Sequence, residues 1–410
     1  MTNKSLDPTW IGALRENESA EPCLLYWTIG SDHGPLPNAM TIEVFWRLPV
    51  HGDGRAIRAE QWNRGDYSPQ RKHPHPYART GVRRDGYTYY DHLSQIVRAA
   101  ELTGFDGAWI PQSPAGEEPL VVAGALAREA RRLTFVASLR APLISAVYAA
   151  KIAVSFQRLS GGRLAWNLVT EDAEERPWYG RTFSPTEQIA RASEFLDVVR
   201  GFWNDAPFTY RGRYNEVENG GFSPPLQGES LPRVYLSGAS PEAAALSARQ
   251  ADVYVLPLAR VEVLRAQIAR LDALSASHGR TLRYAVEADV VARHSDDEAW
   301  SDVRRRWEQA TQKSVPIAVS VEQTEPLRSV EDLVAGKNLW SGFGLVRPGP
   351  ATGLVGGYVE LADRLAEYAR AGVATFVLSA NPHMEEAYRI GEQLLPRVRG
   401  QVSESTREAV

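Results

Sequence analysis

The run Ser237-Gly238-Ala239-Ser240-Pro241 joins two hydroxyls, a glycine and a proline suited to a first helical turn. At a helix start such a run offers backbone N–H groups and hydroxyls to an anion, so it reads as a phosphate cradle; a plain N-cap would look the same. Glu287 and Asp289 are two apart and share one face of an extended chain. Two carboxylates so placed suit a cationic partner or a base of raised pKa. His383 carries the side chain best suited to moving protons near neutral pH. Nothing points to a metal: the eight histidines are scattered, and Cys23 stands alone, without a disulfide partner. There is no Gly-x-Ser-x-Gly elbow and no Walker loop.

The elements that must hold these residues alternate. Buried-strand patterns fall at 42–46, 105–110, 133–139, 164–169, 233–236, 253–256, 284–291 and 375–379. Helical spacing falls at 90–102, 120–130, 147–159, 187–203, 241–251, 261–276, 297–310, 359–371 and 385–395. Eight strands separated by helices predict an α/β protein, a (β/α)8 TIM barrel. An open doubly wound sheet is the rival, but its glycine fingerprint after the first strand is missing. Residues 1–40 read as an irregular extension and 41–400 as the barrel. Insertions are expected near 51–88, 204–232 and 311–355, the second holding a hairpin around Tyr210-Arg211-Gly212-Arg213-Tyr214.

Barrel enzymes work at the C-terminal ends of their strands. That rule selects Arg47 and His51, Gln112, Arg140, Asn167 and Thr170, Ser237 to Ser240, Glu287 and Asp289, Asn381 and His383, with Arg347 from the last insertion. An Asn or Thr in such a place also serves as a helix cap.

The chain has 410 residues, 46 basic and 50 acidic, for a net charge of −4. No Lys/Arg block suits nucleic acid. The first residues lack the apolar core of a signal peptide, and no stretch reaches the roughly 18 apolar residues of a membrane span. The expected address is the cytoplasm.

Several motifs together resemble one family. They are Val44-Phe45-Trp46 with Leu48-Pro49 and His51-Gly52-Asp53-Gly54; Asp106-Gly107 with Ile110-Pro111; and Arg158-Leu159-Ser160-Gly161-Gly162-Arg163 followed by Asn167-Leu168-Val169-Thr170. Asn338-Leu339-Trp340-Ser341-Gly342-Phe343-Gly344-Leu345-Val346-Arg347 continues the series. Phe376-Val377-Leu378-Ser379, Pro382-His383 and Glu385-Glu386-Ala387-Tyr388-Arg389 close it. In this order, over residues 42–396, the chain resembles the bacterial luciferase superfamily, and within it the alkanesulfonate monooxygenases. The resemblance implies reduced FMN as a diffusible substrate delivered by an NAD(P)H-dependent flavin reductase. It implies dioxygen as co-substrate, a small organic substrate, and a homodimer or homotetramer. It places Asn167 and Thr170 along the flavin, and Ser237, Gly238 and Ser240 at its phosphate. Arg347 falls on a mobile insertion over the site and His383 at the barrel mouth, both as catalytic residues.

Departures from the family pattern point to an altered pocket. Glu287 and Asp289 stand where the sulfonate enzymes carry an arginine and a histidine, and like charge repels a sulfonate. Arg47 replaces an aromatic residue and is expected to pair with Glu287 or Asp289, whether as part of the substrate site or as a buried salt bridge. Gly116 replaces a cysteine and Asn381 a tyrosine. Gln188-Ile189 replaces an Arg-Tyr pair that helps hold the flavin phosphate, leaving Arg181 or Arg191 to compensate. Arg47, His51, Glu287, Asp289 and Asn381 are therefore the expected substrate contacts. The expected activity is a reduced-FMN monooxygenase, with an organosulfur compound, an amine or a heterocycle as substrate. A deazaflavin-dependent oxidoreductase on the same fold is the alternative.

Overall fold

A computed structural model describes residues 41–50, 89–113, 116–170, 183–311, 329–347 and 349–408. The expected extension 1–40, the whole of the first insertion (51–88) with His51, and Arg181 lie outside them. The chain opens with β1 (Glu43–Arg47), α1 (Tyr89–Leu102), β2 (Gly107–Ile110), α2 (Pro119–Leu126), β3 (Thr134–Leu139) and α3 (Ala146–Ser160). There follow β4 (Leu164–Val169), α4 (Pro185–Asn204), β5 (Phe208–Arg211), β6 (Glu216–Gly220), β7 (Arg233–Ser237) and α5 (Pro241–Gln250). Next come β8 (Val253–Pro257), α6 (Val261–Ser277), β9 (Arg283–Arg293) and α7 (Asp296–Thr311). The chain closes with β10 (Val334–Gly336), β11 (Leu339–Trp340), α8 (Phe343–Val346), β12 (Gly353–Gly357), α9 (Tyr358–Arg370), β13 (Val373–Ser379), α10 (His383–Gln393) and α11 (Leu395–Glu408).

Local chemistry sets the boundaries. Ser145 caps α3, its hydroxyl accepting from the Tyr148 amide at 3.1 Å. The helix stops at Gly161, whose φ of 72° is a conformation that costs glycine little.

Eight strands pair in parallel in the order β1-β2-β3-β4-β7-β8-β9-β13, and β13 returns to β1. The expected TIM barrel is the fold, and β5 and β6 form the expected antiparallel hairpin. The register identifies the inner face. Phe45 pairs with Val377, Val136 with Ala165, Tyr235 with Val253 and Val255 with Ala285. These residues and Trp109 form a separate buried apolar cluster, the plug of the barrel. Tyr235 packs edge-on against Trp109 at 5.4 Å and Phe45 at 6.1 Å. Below the plug, Glu43 accepts from Arg233 at 2.7 Å and from Thr375 at 3.2 Å.

The last insertion is more regular than expected. β9 outruns β8, which pairs only with Arg283 to Glu287. The rest of β9 has an edge to fill, and β12 fills it in parallel, Gly353 opposite Asp289 through Gly357 opposite Arg293. A short run with three glycines reads as loop, yet the glycine is a fit to this edge: a Cβ on Gly353 would lie 2.1 Å from the Asp289 carbonyl oxygen. A further helix, α11, follows the last one expected. Among the described residues no helix is long and apolar enough to cross a membrane.

Candidate active site

Side chains alternate across a strand, so the residue two places beyond each plug residue also faces inward. On six of the eight strands those residues are Arg47, Ser138, Asn167, Ser237, Glu287 and Ser379, which make a polar tier directly above the apolar plug, while Pro111 and Pro257 take the places on β2 and β8. Four of the six were expected. Ser138 and Ser379 were missed, although the same period of two that marks Asn167 marks them.

One side of the tier is a hydrogen-bonded row. The Ser237 hydroxyl donates to Asn167 Oδ1 at 2.7 Å, and Asn167 Nδ2 donates to Ser138 Oγ at 3.1 Å. Thr170 anchors the same corner, donating to the Ser237 carbonyl from its hydroxyl at 2.9 Å and its amide at 3.1 Å. Next to it α5 begins. Ser240 caps it, Oγ accepting from the Ala243 amide at 3.1 Å, and the Gly238 carbonyl is held by the Tyr254 hydroxyl at 2.6 Å. A cavity of about 400 Å³ opens here, with Ser237, Gly238 and Ala239 on one wall and Glu287 and Thr352 on others. The five residues expected at the cofactor are thus gathered at one corner.

The other side of the tier is charged, and its charges are paired. Arg47 Nε lies 3.3 Å from Glu287 Oε2, as expected from the departures at these positions. Burial pushes the Glu287 carboxyl above the usual carboxylate range, with Arg47 pulling the other way. Burial also lowers Arg47, against the opposing pull of Glu287. Asp289 pairs elsewhere: it accepts from Arg347 Nε at 2.8 Å and from the Ser379 hydroxyl at 2.6 Å. Arg347 Nη2 meets the other carboxylate oxygen and donates to Ser379 Oγ at 3.1 Å. Arg347 therefore lies on the insertion, as expected, but buried in the rim with its guanidinium on a carboxylate.

His383 and Asn381 sit apart from this group. His383 is buried and packs edge-on against Trp46 at 5.8 Å. Trp46 lies between inward-facing Phe45 and Arg47, so it faces away from the barrel axis. The Asn381 carbonyl accepts from Arg306 at 3.0 Å. Arg191 does not reach the phosphate corner through any described contact. It donates to Glu187 at 3.0 Å, and its guanidinium carbon lies 4.3 Å and 4.2 Å from the ring centres of Phe183 and Tyr214. Gln188 donates to the Phe183 carbonyl.

Gln112 and Arg140 mark a second cavity, of about 900 Å³, between the ends of β2 and β3 and the starts of α2 and α3. Arg140 Nε donates to Gln112 Oε1 at 2.7 Å. Sequence alone gave no sign of this space, because its walls come from four elements.

A polar ring over an apolar plug at the C-terminal end of a parallel barrel is an enzyme's arrangement, and the chain as a whole carries a family signature. The family model of the luciferase-like monooxygenases matches residues 67–375. The chain belongs to that family. Solved structures agree on the fold of this luciferase-like protein. EDTA monooxygenase from Chelativorans sp. BNC1 superposes with a TM-score of 0.64 at 17% identity, covering 88% of this chain and 94% of that one. A riboflavin lyase solved with modified FMN and riboflavin gives 0.64 at 17%, covering 88% and 92%. A coenzyme F420 dependent tetrahydromethanopterin reductase from Methanopyrus kandleri gives 0.59 at 16%, covering 75% and 96%. By its family model the chain is an oxidoreductase of the luciferase-like monooxygenase type.

Proposed function

We propose that this luciferase-like enzyme is a monooxygenase that takes reduced FMN from a separate NAD(P)H-dependent flavin reductase and oxygenates a small, uncharged organic molecule. The observation that carries the reading is the corner at Ser237, where the Ser138–Asn167–Ser237 row meets the start of α5 beside a cavity. The amides of residues 238–240 and the positive end of the helix suit the FMN phosphate. The Asn167 amide suits the polar edge of an isoalloxazine, which both donates and accepts hydrogen bonds. The cavity, about 400 Å³, is within the usual range for small-molecule sites, roughly 300–1,000 Å³.

Bound there, reduced FMN supplies the electrons that let dioxygen place one oxygen atom in the substrate and release the other as water. The protein's own work is to hold, orient and exclude water. Glu287 lines the cavity with a carboxyl raised by burial, so it is placed to hold and pass a proton from the oxygen that does not face Arg47. Arg47 keeps it oriented.

The charge pairing argues about the substrate. Two cations and two carboxylates cancel across the tier, and a sulfonate entering it would have to break a formed pair. An uncharged compound, organosulfur molecules included, meets no such cost. The alkanesulfonate branch is thus a likeness of sequence more than of pocket chemistry.

The test is an anaerobic titration with reduced FMN, followed by aerobic mixing with a panel of sulfones, sulfonates, ketones and heterocycles, read by mass spectrometry and oxygen uptake. Oxygenated product formed in step with oxygen uptake supports the reading. Hydride exchange with F420 and no oxygen uptake would replace it with the deazaflavin alternative.

A further inference from the structure

The second cavity is walled on one side by α2, a helix with no polar face. It runs Pro-Leu-Val-Val-Ala-Gly-Ala-Leu, and Pro119, Val122, Ala123 and Leu126 are buried. Val121, Gly124 and Ala125 are exposed. A surface helix ordinarily turns polar residues outward, and one that is apolar all round belongs in an interior. Val121 is 70% exposed, and Tyr148 on α3, another lining residue of this cavity, is 62% exposed. Leu120, Leu143, Ile144 and Ile152 continue the apolar surface into the space of about 900 Å³. Contiguous apolar surface of this kind marks an interaction site.

The charges at the two ends of α2 select what covers it. Residues three or four apart share a helix face. Glu118, Val121, Ala125 and Arg128 follow that spacing, and all four are exposed. The stripe is therefore acidic at one end, apolar in the middle and basic at the other. Glu118 caps the helix, its side chain accepting from the Val121 amide at 2.8 Å, which fixes the carboxylate at that end. Turned end for end about the level of Ala123, the stripe matches itself. Positions 118 and 128 exchange, as do 121 and 125, so each carboxylate meets a guanidinium and each valine a small residue. Gly124 lies beside the crossing point, and a Cβ there would meet nothing within 4 Å, so a second backbone has room to come close. A parallel pairing would instead set carboxylate against carboxylate.

We propose that a second copy of this chain covers α2, the two α2 helices crossing antiparallel with Glu118 of each copy paired to the partner's Arg128 and Val121 packed on the partner's Ala125. The contact is two-fold, the same patch serving on both sides. A stable interface takes about 800 Å² from each partner, more than one short helix supplies, so the flank of α3 around Tyr148 is buried with it.

The experiment measures the mass of the full chain in solution by sedimentation velocity over a dilution series, with circular dichroism to show that each variant is folded. The unaltered protein is expected to sediment as two chains or as four. Ala125 is exposed, so Ala125→Arg spares the core and puts a bulky charge in the middle of the contact. It is expected to turn a dimer into single chains, or a tetramer into pairs. Arg128→Glu and Glu118→Arg each set like charges together twice per pair of copies, and each is expected to weaken association at least tenfold. Mixed in equal amounts, these two variants complement each other at both ends and are expected to associate at least tenfold more tightly than either does alone.

A protein that stays a single chain at every concentration overturns the proposal, and the face then belongs to a different molecule. An oligomer that keeps its affinity in Ala125→Arg overturns it too, because the copies then meet elsewhere. Weakening by Ala125→Arg with none by Arg128→Glu overturns the antiparallel register, as does a folded pair of charge variants that gains nothing on mixing. Should loss of the Glu118 cap unfold Glu118→Arg, the other two variants still decide.

Discussion

Arg347 and Asp289 are 58 residues apart in sequence and share a buried pair at the barrel rim, Nε to Oδ2 at 2.8 Å, with Ser379 bonded to both. The pair ties the last insertion to β9, the strand that β12 also joins. A buried pair adds little over apolar packing, but losing one partner strands the other's charge. Arg347→Ala is therefore expected to cost about 3–5 kcal/mol in urea unfolding. Combining Arg347→Met with Asp289→Leu should recover most of it. A double variant as unstable as the single one would show that the pair is not what holds the rim.

Ser240 separates helix capping from phosphate binding. Its hydroxyl caps α5, and an aspartate caps as well. Ser240→Asp should keep stability within about 0.5 kcal/mol, while its charge beside the phosphate weakens reduced FMN at least tenfold. Ser240→Ala should do the reverse, costing about 1 kcal/mol of stability with a smaller effect on FMN. If aspartate leaves FMN affinity intact, the phosphate lies elsewhere.

Most of the barrel was legible because inner and outer residues alternate. The apolar runs at 133–139 and 164–169 announce buried strands, and the polar residue that ends each inner file announces the tier. The partners were not legible. Asp289 faces Glu287's neighbourhood by spacing, but its cation arrives from an insertion whose strand, β12, is disguised by glycines that exist to approach β9 closely. Ser138 was passed over because a lone serine inside the apolar run 133–139 shows no partner in the sequence. Only the register, Ser138 opposite Asn167, gives it a partner.

His383 tests how far the family likeness carries. Its ring lies against outward-facing Trp46, 2% exposed. His383→Ala should cost about 2–4 kcal/mol, as large-to-small changes in a core do. His383→Phe keeps an aromatic edge for Trp46 and should restore the melting temperature. We expect the phenylalanine variant to turn over within a few fold of the original. A fall of a hundredfold or more in a folded His383→Phe protein would assign the imidazole a proton-transfer role despite its position.

Glu287 makes a prediction with a sign. Its folded pKa lies above the ordinary carboxylate value, because burial penalises the charged form more than Arg47 rewards it. The protonated form is thus the one that folding favours. The stability it contributes is complete below the unfolded pKa, about 4.3, and is lost as pH rises through the folded value. Glu287→Gln is uncharged throughout and escapes that loss. It leaves Arg47 without its carboxylate, but that penalty is constant from pH 4 to 8, where a guanidinium stays charged. The melting temperature of Glu287→Gln minus that of the original should therefore rise between pH 4 and pH 8. A difference that falls over the same range would mean that the ion pair, not burial, governs the carboxyl. Glu287 would then be a fixed anion, and the proton it is proposed to pass would have to come from another group.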